Sequence, residues 1–141
     1  MSEWTICTAG GADVPSVLGL WEAAETRRSA TDTEDALKRL LGRDPDSLLI
    51  ACADGGVIGS LIVAWDGWRG SFYRLAVHPR WRREGVAMAL IRAGEQHLRD
   101  LGAVRLTAIV AGDEHSAMSL WEAAGYEAQA DVSRFIRMLG G

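Results

Sequence analysis

The sequence predicts an α/β protein, a mixed sheet with helices on its faces, in the order β-α-α-β-β-β-α-β-α-β. Three observations carry this reading. Short apolar runs bounded by glycine-containing turns alternate with segments of helical periodicity. The runs over residues 47–53, 57–65 and 71–77 are almost continuously apolar, so both faces of the sheet must be covered. A long helical segment then separates two strands, which makes them parallel.

Trp4 to Thr8 reads as the first strand, ended by Gly10-Gly11. Asp13 caps the helix that follows, with Pro15 in its first turn and Val14, Val17, Leu18, Trp21 and Ala24 at helical spacing. A second helix begins near Thr31, where Thr31-Asp32-Thr33-Glu34 has the pattern of a capping box. Leu37, Leu40 and Leu41 are its apolar stripe and Gly42 its stop.

Ser47 to Ala53 and Val57 to Trp65 are strands joined by Asp54-Gly55, a strong hairpin signal. Asp66-Gly67, with Gly70 three residues on, turns the chain into a strand from Ser71 to Val77. The long helix runs from Glu84 to Leu101, with Val86, Leu90, Ala93, Gly94, His97 and Leu101 on the buried face and Gly102 as C-terminal cap. Val104 to Val110 is a strand. Asp113 caps a last helix carrying Ala117, Leu120, Trp121 and Ala124, and Val132 to Leu139 is a closing strand.

The chain has 141 residues, 48% hydrophobic and 24% charged, which fits one domain over residues 1–141. That composition excludes disorder of the whole chain, and no apolar run is long enough to span a membrane. The formal net charge is -4, which disfavours a nucleic-acid partner and suits a cationic one such as an amine. Cys7 and Cys52 lie in apolar runs without metal or redox spacing and read as buried, reduced thiols. The first residues carry no basic region followed by an apolar stretch, so the expected compartment is the cytoplasm. The three histidines have no metal spacing, and no metal is expected.

The chemistry concentrates in the stretch from Leu75 to Leu90. A strand ends at Val77, and Pro79 prevents its continuation. The chain then enters the long helix through Arg82, Arg83, Glu84, Gly85, Val86, Ala87 and Met88. Free amides and the helix dipole favour an anion at that end. Gly85 and Ala87 keep side-chain bulk away, and Arg82 and Arg83 add charge. Together they read as a cradle for a diphosphate. A Walker loop would need Gly-Lys-Ser/Thr and a dinucleotide fingerprint three glycines, and neither is present.

The pattern Arg82-x-x-Gly85-x-Ala87, after Leu75-Ala-Val-His-Pro79, resembles the acetyl-CoA signature of the GNAT superfamily of N-acetyltransferases. Ala117-x-x-Leu120-Trp121-x-x-x-Gly125-Tyr126 is similar to the second conserved half of that family, and the element order matches over nearly the whole chain. The stretch from Asp66 to Val77 looks most like a small bacterial, YpeA-like branch.

The resemblance implies the single-domain GNAT acyl-CoA N-acyltransferase fold and an enzyme using acetyl-CoA as co-substrate. The strand ending at Val77 would splay from the one starting at Val104. Pantetheine would bond to the backbone of Leu75, Ala76 and Val77, and the diphosphate would sit on residues Arg82 to Met88. The amide of Val77 would meet the thioester carbonyl. The acetyl group would pass directly to a primary amine, and Cys7 and Cys52 lie outside the motifs. The family's usual acid, a tyrosine, is Trp121 here, and its usual asparagine is Glu114. Tyr73, His78, His115 or solvent could replace the acid.

Asp66 and Trp68, beside the turn near the acceptor end, are candidates to read the substrate. Against each stands a plainer reading. Asp66 also reads as a turn residue alone, Trp68 as surface packing or a dimer contact, His78 as stabilising the turn at Pro79, and His97 and Trp121 as core packing. Partners implied are a small-molecule or protein amine, with no nucleic acid or membrane and with a homodimer possible. A second function stays open on these residues: an acyl-CoA-binding sensor or protein-partner module with little transfer activity.

Overall fold

In the computed structural model, residues 3–24, 26, 28–110 and 115–140 are described. Strands β1 (Thr5–Thr8), β2 (Leu48–Ala53), β3 (Gly56–Trp65), β4 (Gly70–Val77) and β5 (Leu106–Ala108) form one sheet in that spatial order. The first four are antiparallel neighbours, and β5 joins β4 in parallel. Helices α1 (Val14–Ala23), α2 (Glu34–Arg43), α3 (Val86–Leu101) and α4 (His115–Ala123) complete the order.

Strand alternation decides where the helices go. Leu48 and Ile50 of β2 pack with Val17, Leu20 and Trp21 of α1 and with Leu37 and Leu41 of α2. Leu49, Ala51 and Ala53, pointing the other way, pack with Val86, Leu90, Ile91 and Leu98 of α3 and with Trp121 of α4. Both faces are therefore covered, as the continuous apolar runs require. The Asp54-Gly55 hairpin forms as expected, with φ of 52° and 77° at its two residues. A two-residue turn with both φ positive matches the twist of the strands it joins.

The long helix approaches the sheet unusually closely. A Cβ on Gly59 would lie 2.9 Å from Val86 Cγ1, one on Gly70 2.6 Å from Leu98 Cδ1, and one on Gly94 2.7 Å from Phe72 Cε1. Three missing side chains thus let α3 settle onto β3 and β4, and this fixes where its N-terminus stands relative to the end of β4.

Several expectations are corrected. The residues from Val132 to Leu139 form no strand; Phe135 and Leu139 are 94% and 91% exposed. The apolar positions there, Val132, Phe135, Ile136, Met138 and Leu139, do not alternate, so no single strand face could bury them. Strand β5 is shorter than Val104 to Val110, and Val104 stands in solvent. The Thr31–Glu34 capping box does not form: Thr33 Oγ1 accepts from the Ala36 amide at 3.1 Å, and the helix begins at Glu34. Asp13 sits at the N-cap of α1, but its carboxylate accepts from the Gly10 amide at 2.9 Å.

The buried face of α3 is Val86, Leu90, Ile91, Gly94 and Leu98. His97 is half-buried and Leu101 exposed. Helix α3 begins at Val86 rather than Glu84, and Gly102 ends it in the left-handed region as expected. Cys7 is exposed on edge strand β1, and Cys52 is half-buried with its thiol pKa raised by burial and by Cys7. Asp113 and Glu114 lie outside the described residues.

Gly94→Ala tests the close approach. Alanine gains up to about 1 kcal/mol of helix propensity. The new methyl meets Phe72, Val63 and Leu61, all buried, and overpacking costs about 1–3 kcal/mol. Urea unfolding should show a net loss of about 1 kcal/mol or more; unchanged or increased stability would show that the helix can retreat without cost.

Candidate active site

The site begins at an irregularity in β4. The β3–β4 register shifts between Ser60 and Ile62, and Arg74 lies in the left-handed region with φ of 56°. This is a bulge, with an arginine where the strand's apolar neighbours would predict another hydrophobe. Interactions from both neighbouring elements and the preceding loop hold it. Ser60 Oγ, fully buried, donates to the Arg74 carbonyl at 2.9 Å. Ser60 Oγ also accepts from Trp21 Nε1 at 2.8 Å. The Arg74 guanidinium donates to both carboxylate oxygens of Asp32, Nε at 3.1 Å and Nη2 at 2.7 Å, and lies 5.4 Å from the centre of the Trp21 ring.

Beyond the bulge, β4 leaves β5. Among the described residues their pairing covers only Gly70–Phe72 against Leu106–Ala108, with further bonds from the Gly70 amide to the Arg105 carbonyl and from the Ile109 amide to the Phe72 carbonyl. On its other side β4 stays bonded to β3 as far as Val77. Among the described residues, the β5-side edge of β4 from Tyr73 to Val77 has no ladder partner. Backbone donors and acceptors left this way seek an external partner.

After Val77 the chain makes a single 3₁₀ turn over Pro79–Trp81. His78 Nδ1 accepts from the Arg80 amide at 3.2 Å, and the His78 amide donates to the Ile58 carbonyl at 2.8 Å. Arg83 and Gly85 then adopt positive φ, 65° and 85°. A Cβ on Gly85 would have no protein atom within 4 Å, so this backbone faces open space. The Ala89 amide bonds to the Gly85 carbonyl at 3.0 Å as the first turn of α3. The amides of Val86, Ala87 and Met88 precede it and have no partner within the helix.

Two cavities flank this strand. One, about 880 Å³, is lined by Leu75, Ala76, Val77, Arg82, Arg83, Gly85, Val86, Ala87 and Met88, facing His115 and Ser116 across the gap. Of the residues expected to hold the cofactor, Glu84 alone is not on its wall. The other cavity, about 670 Å³, lies against the bulge and includes Trp21, Asp32, Tyr73, Arg74 and Trp121. Thr26, Leu75 and Ala117 belong to both, so the cavities meet there.

Other candidates fall outside. His78 lines neither cavity, and its ring nitrogen is occupied by its own turn. Asp66 and Trp68 line neither as well. The Asp66 carboxylate accepts from the Arg69 and Trp68 amides, both at 2.7 Å, and these bonds lower its pKa. Trp68 is 69% exposed and stacks under the Arg69 guanidinium at 3.9 Å. Sequence reasoning missed Ser60, Asp32, Arg74 and Thr26. A polar serine and an arginine within apolar strands were the available signals for two of them.

Trp121 packs on Phe72 with centroids 5.6 Å apart and on Tyr126 at 4.9 Å. Tyr126 Oη donates to Glu95 Oε2 at 2.6 Å. Burial, and next the Glu95 hydrogen bond, push the Tyr126 pKa well up. Its phenol therefore stays protonated and structural.

Paired strands that part around a groove, next to a helix N-terminus with open amides, define an acyl-CoA transferase fold. Residues 15–126 match the acetyltransferase (GNAT) family, and the chain belongs to it. It is 38% identical over 120 residues to acetyltransferase SG1711 of Sodalis glossinidius, covering 85% of this chain and 84% of that one. Among solved structures it resembles Ard1 from Thermoplasma volcanium, with a TM-score of 0.81 and 23% identity over 90% of this chain and 84% of that one. It also resembles aminoglycoside N-acetyltransferase AAC(6')-Iy in complex with CoA, with a TM-score of 0.75 and 19% identity over 97% and 96% of the chains. The protein is an acetyl-CoA-dependent N-acetyltransferase.

The raised Tyr126 pKa gives a pH signature. The unfolded phenol ionises near 10, while the folded one holds its proton to higher pH. The unfolded state therefore binds fewer protons above that point, and stability falls as pH rises past it. Thermal melts from pH 9 upward should decline less steeply for Tyr126→Phe than for the parent; parallel curves would mean that the phenol ionises freely in the fold.

Proposed function

We propose that acetyl-CoA lies in the 880 Å³ groove with its thioester at the junction with the 670 Å³ cavity, and that the amine enters through that second cavity. The carrying observation is that the two cavities share the wall at Leu75. Leu75, Ala76 and Val77 offer pantetheine the edge β5 leaves free. The amides of Val86, Ala87 and Met88, with Arg82 and Arg83, take the diphosphate, and Glu84 contributes backbone only. The groove fits such a ligand because a side chain at Gly85 would point into its open space. Sequence reasoning assigned the Val77 amide to the thioester carbonyl; the position of the junction favours a main-chain group nearer Leu75.

Tyr73, 42% exposed on the acceptor cavity, is the better of the two side-chain candidates for moving a proton. His78 serves its turn instead. An indole has no practical acidity, so Trp121 shapes the pocket while Tyr73 or water supplies the proton to the thiolate. His115 reaches the donor groove and is a further relay candidate. Deprotonating an α-amine of pKa near 7.8 costs about 1 kcal/mol at pH 7, so a weak base suffices for such an acceptor.

Four broader readings accompany this one. Two apolar clusters sharing one sheet support a single domain over residues 1–141. The free thiols of Cys7 and Cys52 suit a cytoplasmic location. The exposed apolar side chains between Val132 and Leu139 favour a homodimer. The stretch from Asp66 to Val77 supports placement in the YpeA-like branch.

Gly85→Asp separates groove from fold. Aspartate tolerates the left-handed backbone better than most residues, but its carboxylate would oppose the diphosphate. Calorimetry should show acetyl-CoA affinity reduced by at least about tenfold, or about 1.4 kcal/mol, with the circular dichroism spectrum retained. Normal binding would place the nucleotide elsewhere.

A further inference from the structure

We propose that the acceptor is an amine bearing a carboxylate and an apolar body, of the hydrophobic amino-acid type, rather than a polycation. This rests on the assignment of the 670 Å³ cavity to the acceptor. Among the described residues lining that cavity, the charged side chains are Arg28, Asp32, Arg74 and Arg134, three cations against one anion.

The anion is already engaged. Asp32 accepts two bonds from Arg74, and its Oδ2 takes a third from the Ser29 amide at 3.0 Å. Both partners of the ion pair are mostly shielded, at 20% and 16% side-chain exposure. Releasing Asp32 to greet an ammonium group would break three hydrogen bonds to a shielded carboxylate, two of them charge-assisted, which is costly. A polycationic acceptor therefore meets guanidinium groups without a free counter-charge among these residues.

The cations are better placed to receive an anion. Arg134 has no hydrogen-bond or ion-pair partner among the described residues. Arg28 approaches Glu22 only at 3.8 Å, with both side chains largely in solvent, so that contact competes weakly. Guanidinium groups bind carboxylates through paired, charge-assisted hydrogen bonds. Beside Thr26, Ser29, Thr31 and Tyr73, most of the remaining wall, including Trp21, Leu40, Ile62 and Ile109, is apolar and suits a hydrocarbon or aromatic body. The acceptor amine would then point to Leu75, with its acid group held back toward Arg28 and Arg134.

The experiment compares L-phenylalanine with L-phenylalanine amide, and both with the cationic amine neamine, by CoA release from acetyl-CoA. The amide has the less basic amine and more free base at neutral pH, so any preference for the acid is not due to amine availability. The expected kcat/KM favours the acid by about tenfold or more, the scale of one charge-assisted hydrogen bond, with neamine poorest. Arg28→Glu with Arg134→Glu should raise KM for the acid and abolish or reverse the preference for the acid over the amide. Titration of the CoA-loaded protein with the same compounds reads binding directly.

Equal or better use of the amide or neamine, or no binding and no turnover of the acid, overturns the proposal. Acetyl-CoA calorimetry on the same sample separates the two levels. Saturable binding with the wrong acceptor preference overturns this inference alone, whereas no acetyl-CoA binding overturns the donor-groove assignment beneath it as well.

Discussion

Main-chain groups that the sheet leaves unpaired are what the remainder of this molecule is arranged around. A strand inside a sheet satisfies its amides and carbonyls on both sides. Here β4 does so through Phe72, and then, among the described residues, one side has no partner strand. Buried or half-buried backbone without a partner is costly, so such an edge persists only where a ligand or solvent completes it. The opening is not a frayed end, because Leu75, Ala76 and Val77 remain anchored to β3, with Ala76 opposite Ser60 and Val77 opposite Gly59. One rigid side and one free side are what a strand-like ligand needs.

The second requirement is that the helix carrying the anion-facing amides be fixed relative to that edge. Packing at Gly59, Gly70 and Gly94 supplies this. Gly59 stands opposite Val77, the last residue of the free edge, and meets Val86, the first of α3. One glycine therefore sets the spacing between the strand's end and the helix's start. Gly94 and Gly70 hold the middle and the far part of the helix. The precision of the groove thus derives from contacts on the opposite side of the strand, in the core.

Local chemistry made much of this readable before any coordinates. The Asp54-Gly55 turn needs positive φ, and few residue pairs supply it. Likewise Gly85 and Ala87 follow a strand end and Pro79, and few structures other than an anion-binding helix entry require that order. Tertiary effects defeated the rest. Asp32 looked like part of a helix cap, but its partner Arg74 lies 42 residues away. Asp66 looked like a substrate group, but amides two and three residues on occupy it. The α3 face was misjudged because Ala93 and His97 fit a helical stripe nearly as well as Ile91 and Leu98. Only contact with Phe72 at Gly94 selects between those faces. The stretch from Val132 to Leu139 is rich in strand-forming residues but lacks alternation, and composition alone suggested a strand.

The bulge links the two cavities energetically. Holding a non-glycine residue in the left-handed region costs about 1–2 kcal/mol. The Ser60 hydrogen bond to the Arg74 carbonyl offsets about 1 kcal/mol, and each bond to the Asp32 carboxylate is charge-assisted and stronger. The restraints outweigh the strain, so the bulge is the settled conformation rather than a fluctuation. Trp21 on α1 and Asp32 before α2 both bear on Arg74, while Arg74 immediately precedes Leu75. The walls of the 670 Å³ cavity are therefore bonded to the residue that precedes the free strand edge. A change in Trp21, Ser60 or Asp32 would be felt at Leu75 through no more than two hydrogen bonds and one peptide unit, and the two cavities form one constructed site.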